Sequence, residues 1–357
     1  MKPKSLISSD SIKKDYNDLI GRKILFIIAL SISIIAIIGI SSTIGVIGLS
    51  VKEVYLTILN VFFPDTFVVS DVAARVVCYI RLPRICMGIL AGIGLGISGA
   101  VMQGILRNPL ASPYTLGISS GAGFGAAVAI VLGAGFAGGE YLIIGNAFIG
   151  ALICSIVILL LSSKQGTTTE TMLLAGIALM YLFSASTALL QYFADDEASK
   201  EVTFWLIGSL SYATWNQIIA IALIIVITFP ILLWKSNDLN LIAAGDDTAK
   251  SLGINVKNTR LILMILASLI TASIVCFTGT IGFIGLVAPH MTRMIIGGDN
   301  RFVFPASALL GGLLLCVADI FAITLAEPTI LPIGIMTSYM GVPLFLYLIL
   351  RRRKSYW

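Results

Sequence analysis

Few residues in this chain could do chemistry, and those that could stand apart from one another. Gly94-x-Gly96-x-x-Gly99 has the spacing of a dinucleotide fingerprint. That fingerprint works only after a strand and before a helix, where it cradles a pyrophosphate. Here it lies inside an uncharged apolar run, so the nucleotide reading is rejected. No G-x-x-x-x-G-K-[ST] sequence occurs, so any ATP chemistry resides on another subunit. His290 is the only histidine, in Pro289-His290-Met291-Thr292-Arg293. One histidine without neighbouring carboxylates or thiolates does not make a metal site, and it is read as a packed or interfacial residue. The five cysteines are scattered with no CxxC pair, which gives no metal or disulfide framework. Asp319 is the one acid inside a predicted span. Leaving it ionised and unpaired there costs roughly 2.5–3.5 kcal/mol on insertion scales, so it is expected to face a polar neighbour or a cavity. No clustered Ser/His, His/Glu or Asp/Asp set falls within the spans, so no catalytic residue, metal or enzyme activity is assigned.

The elements that carry these residues are membrane helices. Apolar residues make up 58% of the 357 and charged residues 11%, with mean hydropathy +1.01. Soluble domains carry about 25% charge. Uncharged runs cover 24–51, 85–106, 108–139, 141–163, 171–194, 202–234, 261–292 and 328–350. Roughly 20 apolar residues span a bilayer as a helix, and helices satisfy their own backbone there. Dividing the longer runs at Gly and Pro gives ten spans, near 24–48, 84–106, 114–133, 142–161, 171–193, 215–234, 261–278, 281–297, 303–323 and 333–350. Lys and Arg then set the sides: 18 of the 23 fall on the side of the N-terminus and 5 on the other. By the positive-inside rule both termini are cytoplasmic and the chain is multi-pass in the cytoplasmic membrane. The net charge of +5 reflects these membrane-flanking cations, and no nucleic-acid partner is expected.

The chain divides into a polar, partly disordered tail (1–23), a ten-helix domain (24–350) and a basic tail (351–357). Gly88, Gly92, Gly96 and Ala100 recur every four residues, as do Gly117, Gly121 and Gly125. Such stripes let helix backbones approach closely. The acidic stretch 195–201 is an outer loop, with a short surface helix expected over 204–212. The insert 235–260 is the only inner loop large enough to fold. Its apolar residues Leu241, Ile242, Ala249 and Leu252, punctuated by Gly245 and Gly253, fit two short surface helices or a plain connector. Asn108-Pro109 and Ser112-Pro113 mark a tight inner turn. Arg81-Leu-Pro-Arg84 puts two cations at an outer helix start, against the charge bias. They are either interfacial anchors or a docking surface for an acidic partner.

Taken in order, these segments resemble one family, the FecCD-type permeases of importers for iron–siderophore complexes, heme and cobalamin. The resemblance covers about 70–350. It rests on Arg81-Leu-Pro-Arg84, Ser98-Gly-Ala-Val-Met-Gln-Gly104, Asn108-Pro-Leu-Ala-Ser-Pro113, Leu174-Ala-Gly-Ile-Ala178, Gly245-Asp-x-x-Ala249 with Leu252-Gly253, Gly282-Phe-Ile-Gly-Leu-Val-Ala-Pro-His290 with Arg293, Ala318-Asp319, and Leu331-Pro-Ile-Gly334. It implies an all-α, ten-helix permease paired with a second copy or paralogue. It further implies two ATP-binding-cassette ATPase subunits on the cytoplasmic face and a substrate-binding protein outside. By matching positions, Arg81 and Arg84 look like docking cations for that binding protein. Gly245, Asp246, Ala249, Leu252 and Gly253 look like the coupling segment that seats in the ATPase. Asn108, Pro109, Leu174, Gly176 and Asp319 are pathway or packing candidates. The chain departs from the family where an Arg is common after Ala-Asp (here 320–324) and where Glu commonly precedes Leu-Pro (here Ile330, with Glu327 nearby), which shifts weight to the 75–84 segment. The cargo implied is an iron chelate or cobalamin. The competing reading is an ion-gradient-driven carrier with Asp319 as its coupling group.

Overall fold

The structure is a computed structural model that describes residues 9–64, 66–135, 138–165 and 169–350. The tails expected at 1–8 and 351–357 lie outside the described residues. Fourteen helices account for most of the rest: α1 (Ser9–Thr43), α2 (Val51–Phe62), α3 (Asp71–Leu106), α4 (Ile118–Leu132), α5 (Leu142–Gln165), α6 (Thr169–Phe193), α7 (Asp196–Ile207), α8 (Trp215–Trp234), α9 (Ser236–Ala243), α10 (Asp246–Ser251), α11 (Val256–Thr278), α12 (Ile284–Ile296), α13 (Asn300–Thr324) and α14 (Ile333–Leu350). Seven are long and apolar enough to cross a bilayer (α1, α3, α5, α6, α8, α11 and α13), and α4, α12 and α14 are shorter apolar helices. Together they match the ten expected spans.

Three boundaries differ from expectation, each for a local reason. Residues 9–23 continue α1 as helix. The sequence there has no proline, and its only glycine is Gly21, so nothing breaks a helix before the apolar run. The second span begins at residue 71 instead of 84. The Ser70 hydroxyl caps it by accepting from the Ala73 amide at 3.2 Å, and a π turn over Val77–Arg81 ends two residues before Pro83. Proline removes one helical hydrogen bond, and the widened turn lets the helix run through it. The short helix expected at 204–212 is α7, which starts at 196. The Asp195 carboxylate accepts from the Ala198 amide at 2.7 Å, and Gly208, at φ +79°, ends the helix.

α3 is the hub. It packs against α13, α11, α12 and α8, while α4 lies between α5 and α6. The first glycine stripe explains the α3–α13 contact. A Cβ on Gly92 would lie 2.4 Å from the Gly311 carbonyl oxygen, and one on Gly96 would lie 2.2 Å from that of Ser307. Only glycine permits this backbone-on-backbone approach. α6, by contrast, presents Leu174, Tyr181, Leu182, Leu189 and Tyr192 outward, an apolar surface for lipid or a neighbouring subunit. The face bearing α9, α10 and the start of α13 is called the basic face below, and its opposite the far face.

Candidate functional site

Two polar constellations stand on α3, one at its C-terminal end and one in its far-face half. On the basic face, α9 and α10 meet at Gly245, whose φ of +136° is a conformation that side-chain-bearing residues rarely adopt. Ala249 is fully buried and packs with Ile242 and Val256 in a small core of their own. Leu252 is 60% exposed, and Gly253 turns the chain at φ +84°. The corner is fastened by charge. The Arg107 guanidinium donates both to the Ile242 carbonyl, near the end of α9, and to the Asp246 carboxylate, at the start of α10. Arg260, in the first turns of α11, donates to the same carboxylate at 2.9 Å.

A second fastening runs through Asn240 of α9. Its side-chain oxygen accepts from the Asn300 amide at 2.9 Å and from the Asn300 side chain at 2.8 Å. Its amide donates to Asp299 at 2.8 Å. Arg293, 1% exposed, donates to the Asn300 side-chain oxygen at 3.0 Å and to the Ala100 carbonyl of α3 at 3.1 Å. Burial alone would raise the Asp299 carboxyl. Hydrogen bonds from Arg301 and Asn240 outweigh it and hold the group below the usual carboxylate range.

On the far face two cations expected at the surface turn inward. Arg81 and Arg84 are not surface cations: they are 6% and 7% exposed. Because α3 starts at residue 71, this segment lies inside the helix and faces the protein. Arg81 donates to the carbonyls of Ser42, at 2.9 Å, and Ile47. Arg84 grips Asp319 through Nε, 3.0 Å from both carboxylate oxygens, and through Nη2 at 2.7 Å, while Nη1 donates to Ser211 at 2.9 Å. Asp319 therefore has the basic partner that sequence reasoning did not find for it. The signal was available. Arg84 lies about six helical turns above Leu106 and Asp319 about five above Asn300, at 3.6 residues per turn, so antiparallel neighbours bring them to one height. Arg75 is the exposed cation of this segment.

Ser211 also lines a far-face cavity of about 540 Å³, whose other walls include Phe204, Trp205, Tyr212, Phe277 and Glu201. A second cavity, of about 390 Å³, lies between Leu206, Thr280, Gly282, Gly334 and Tyr339. Next to Gly282 of that second cavity is Phe283, a non-glycine residue at φ +65°. A Cβ on Gly341 would come within 2.5 Å of its side chain. Sequence reasoning passed over Phe283, since nothing in a phenylalanine signals a positive φ.

The pathway candidates separate. Leu174 is exposed on α6, whereas Gly176 lets α6 approach the backbone at Thr115 and Leu116. The Asn108 side chain accepts from the Leu110 amide at 2.9 Å, and the Pro109 carbonyl accepts from the Gln103 amide at 3.0 Å. Both serve the turn. His290 is buried, its ring 6.4 Å from that of Phe345. Among the described residues no group of His, Cys, Asp and Glu is placed to hold a metal ion.

Known proteins share this sequence and fold along most of their length. The chain is 38% identical over 317 residues to the hemin transport system permease protein HmuU of Yersinia pestis, covering 88% of this chain and 92% of that one. It is 40% identical over 288 residues to the cobalamin import system permease protein BtuC of Halobacterium salinarum, covering 80% and 76% respectively. A solved structure described as an inward-facing metal-chelate type ABC transporter superposes with a TM-score of 0.80 at 30% identity, covering 91% of this chain and 99% of its own. The model of the FecCD transport family matches residues 25–351. A bundle of apolar helices that carries polar fastenings at both ends, is matched along nearly all of its length and has relatives that serve as transport subunits, not enzymes, belongs to the FecCD transport family of ABC importer permeases.

Proposed function

We propose that this chain carries a bulky metal chelate, with an iron complex or a cobalamin as the favoured cargo, inward across the cytoplasmic membrane. It works as one of two permease copies or paralogues beside two ATPase subunits and an outer binding protein. The observation that carries the reading is the α9–α10 corner. It exposes Leu252 on its open side and is fastened to the core on the other, the build expected of a knob that seats in a moving partner. The positive-inside rule puts that face, and with it both termini, in the cytoplasm. The 540 Å³ cavity on the other side is within the size range of small-molecule sites. Its walls are apolar, aromatic or hydroxyl-bearing except for Glu201, which suits a ligand that shields its own charge. Relatives named for hemin, cobalamin and Fe(3+)-citrate transport support that class. The ion-gradient alternative loses its motive, because Asp319 is held by Arg84 and is no unpartnered proton site.

The test is dependence on a separate ATPase. Purified chain alone is expected to hydrolyse no ATP, and vesicle uptake is expected only with the ATPase subunit and ATP. Uptake driven by a proton gradient in vesicles holding this chain alone would overturn the proposal. For outer docking, the 75–84 segment is the proposed contact, with exposed Arg75 as its cation and buried Arg81 and Arg84 shaping it. Rim charges act mainly on association rate and its salt dependence. Arg75→Glu is therefore expected to slow association of the binding protein several-fold at low salt, an effect that shrinks at high salt. An unchanged association rate would remove Arg75 from the docking surface.

A further inference from the structure

We infer that Arg107 is the positioning residue through which movement of the α9–α10 corner is delivered to α3. The inference rests on the importer reading above and concerns this chain's internal linkage. Three observations converge. First, Arg107 follows the last residue of α3 and holds a left-handed conformation, φ +46° and ψ +35°. Helices commonly end in this geometry, and glycine is the usual residue because it pays no steric penalty there. An arginine in that place gains nothing for the turn itself, so its side chain is the part that is used.

Second, that side chain touches both sides of the hinge. It donates to Ile242 at the end of α9 and to Asp246 at the start of α10, while Gly245 between them has the φ of a sharp corner. A push on either helix thus reaches one guanidinium. Third, α3 is the hub on which α8, α11, α12 and α13 pack, and its far-face half carries Arg84, bonded to Ser211 in the wall of the far cavity. Arg107 and Arg84 flank the regular helical stretch Leu82–Leu106 of α3, which joins the corner to the cavity.

The corner does not depend on Arg107 to stay attached. Arg260 still holds Asp246 at 2.9 Å, and Asn240 still holds Asp299 and Asn300. Removing Arg107 therefore separates transmission from attachment, which makes the inference testable. The experiment uses the full permease reconstituted with its ATPase and binding protein, and compares wild type with Arg107→Ala and Arg107→Lys. Four quantities are read: ATPase association affinity, stimulation of hydrolysis by the loaded binding protein, cargo taken up per ATP, and amide hydrogen exchange over residues 236–253.

In Arg107→Ala, association is expected to stay within about twofold and exchange over 236–253 close to wild type. Stimulation should largely vanish and uptake per ATP should fall tenfold or more. Arg107→Lys keeps the charge but cannot reach both partners in a fork, and is expected to fall between the two. Uptake per ATP and stimulation both at wild-type levels in Arg107→Ala would overturn the inference. So would parallel loss of association and of exchange protection, which would make Arg107 a support for the corner's fold. Failure of the importer reading looks different, since wild type itself would then neither bind the ATPase nor require ATP.

Discussion

Arg84→Ala is expected to lower the thermal-unfolding midpoint of the detergent-solubilised or nanodisc-embedded chain more than any other single truncation on the far face except that of its partner, Asp319. The pair is bidentate, its side chains are 8% and 4% exposed, and Ser211 takes a further donor. Truncating either partner leaves the other charge buried and uncompensated, at about 3–5 kcal/mol. Asp319→Ala should therefore be about as damaging as Arg84→Ala. The pair itself is a weaker stabiliser than this figure implies, because both charges are desolvated to make it. Arg84→Met combined with Asp319→Leu should thus restore much of what either single change loses. That non-additivity distinguishes an internal ion pair from a docking cation. A docking cation at Arg84 would weaken binding-protein association and leave the midpoint where it was, and no partner change at Asp319 would repair it. The measurement is a double-mutant cycle on the midpoint. Independent, additive effects at the two positions would sink the prediction.

The parts of the molecule that were legible in the sequence are those set by composition over a whole span. A bilayer demands about 20 apolar residues whatever their order, so the helix count followed from the uncharged runs divided at Gly and Pro. Helix ends were not legible in the same way. Ser70 and Asp195 cap helices that begin earlier than expected, and Pro83 reads as a helix start unless a π turn absorbs it. The corner at Gly245 announced itself through glycine punctuation, but the fork of Arg107 did not, since arginine is not a residue expected at positive φ. The Arg84–Asp319 pair joins residues 235 apart in the chain, and each half alone suggested a different role: an outer cation and a proton site. Placing both charges on helices of known direction would have joined them, because ionisable groups inside a membrane bundle pair with one another.

The glycine stripe predicts a sharp contrast within a single helix face. Gly92→Val is expected to prevent α3 and α13 from closing, so that the chain inserts but fails to give a monodisperse, heat-stable protein. A Cβ at Gly92 meets the Gly311 carbonyl oxygen at 2.4 Å, its carbon at 2.6 Å and the Gly312 Cα at 2.7 Å. All three are backbone atoms of a helix and cannot rotate away. Gly88, one step along the same stripe, is the control. Its Cβ would meet Leu210 at 3.4 Å and Cys316 at 3.8 Å, ordinary contact distances, so Gly88→Ala should behave as wild type. Gly92→Ala belongs between these, and it should act through the ion pair as well. The contacts 84 with 319, 92 with 311 and 96 with 307 lie in one antiparallel register: each step along α3 is matched by an equal step back along α13. Forcing the helices apart at Gly92 therefore also pulls Arg84 from Asp319, whose hydrogen bonds tolerate only a few tenths of an ångström before they weaken. Groups that share such a backbone shift do not contribute additively. Once Gly92→Ala has strained the pair, Arg84→Ala should lose less further stability than it does alone. The decisive comparison is the midpoint of Gly88→Ala, Gly92→Ala, Arg84→Ala and the Gly92→Ala/Arg84→Ala double variant. Equal damage at Gly88 and Gly92, or strict additivity in the double variant, would show that the close approach and the ion pair are separate features and not one helix interface.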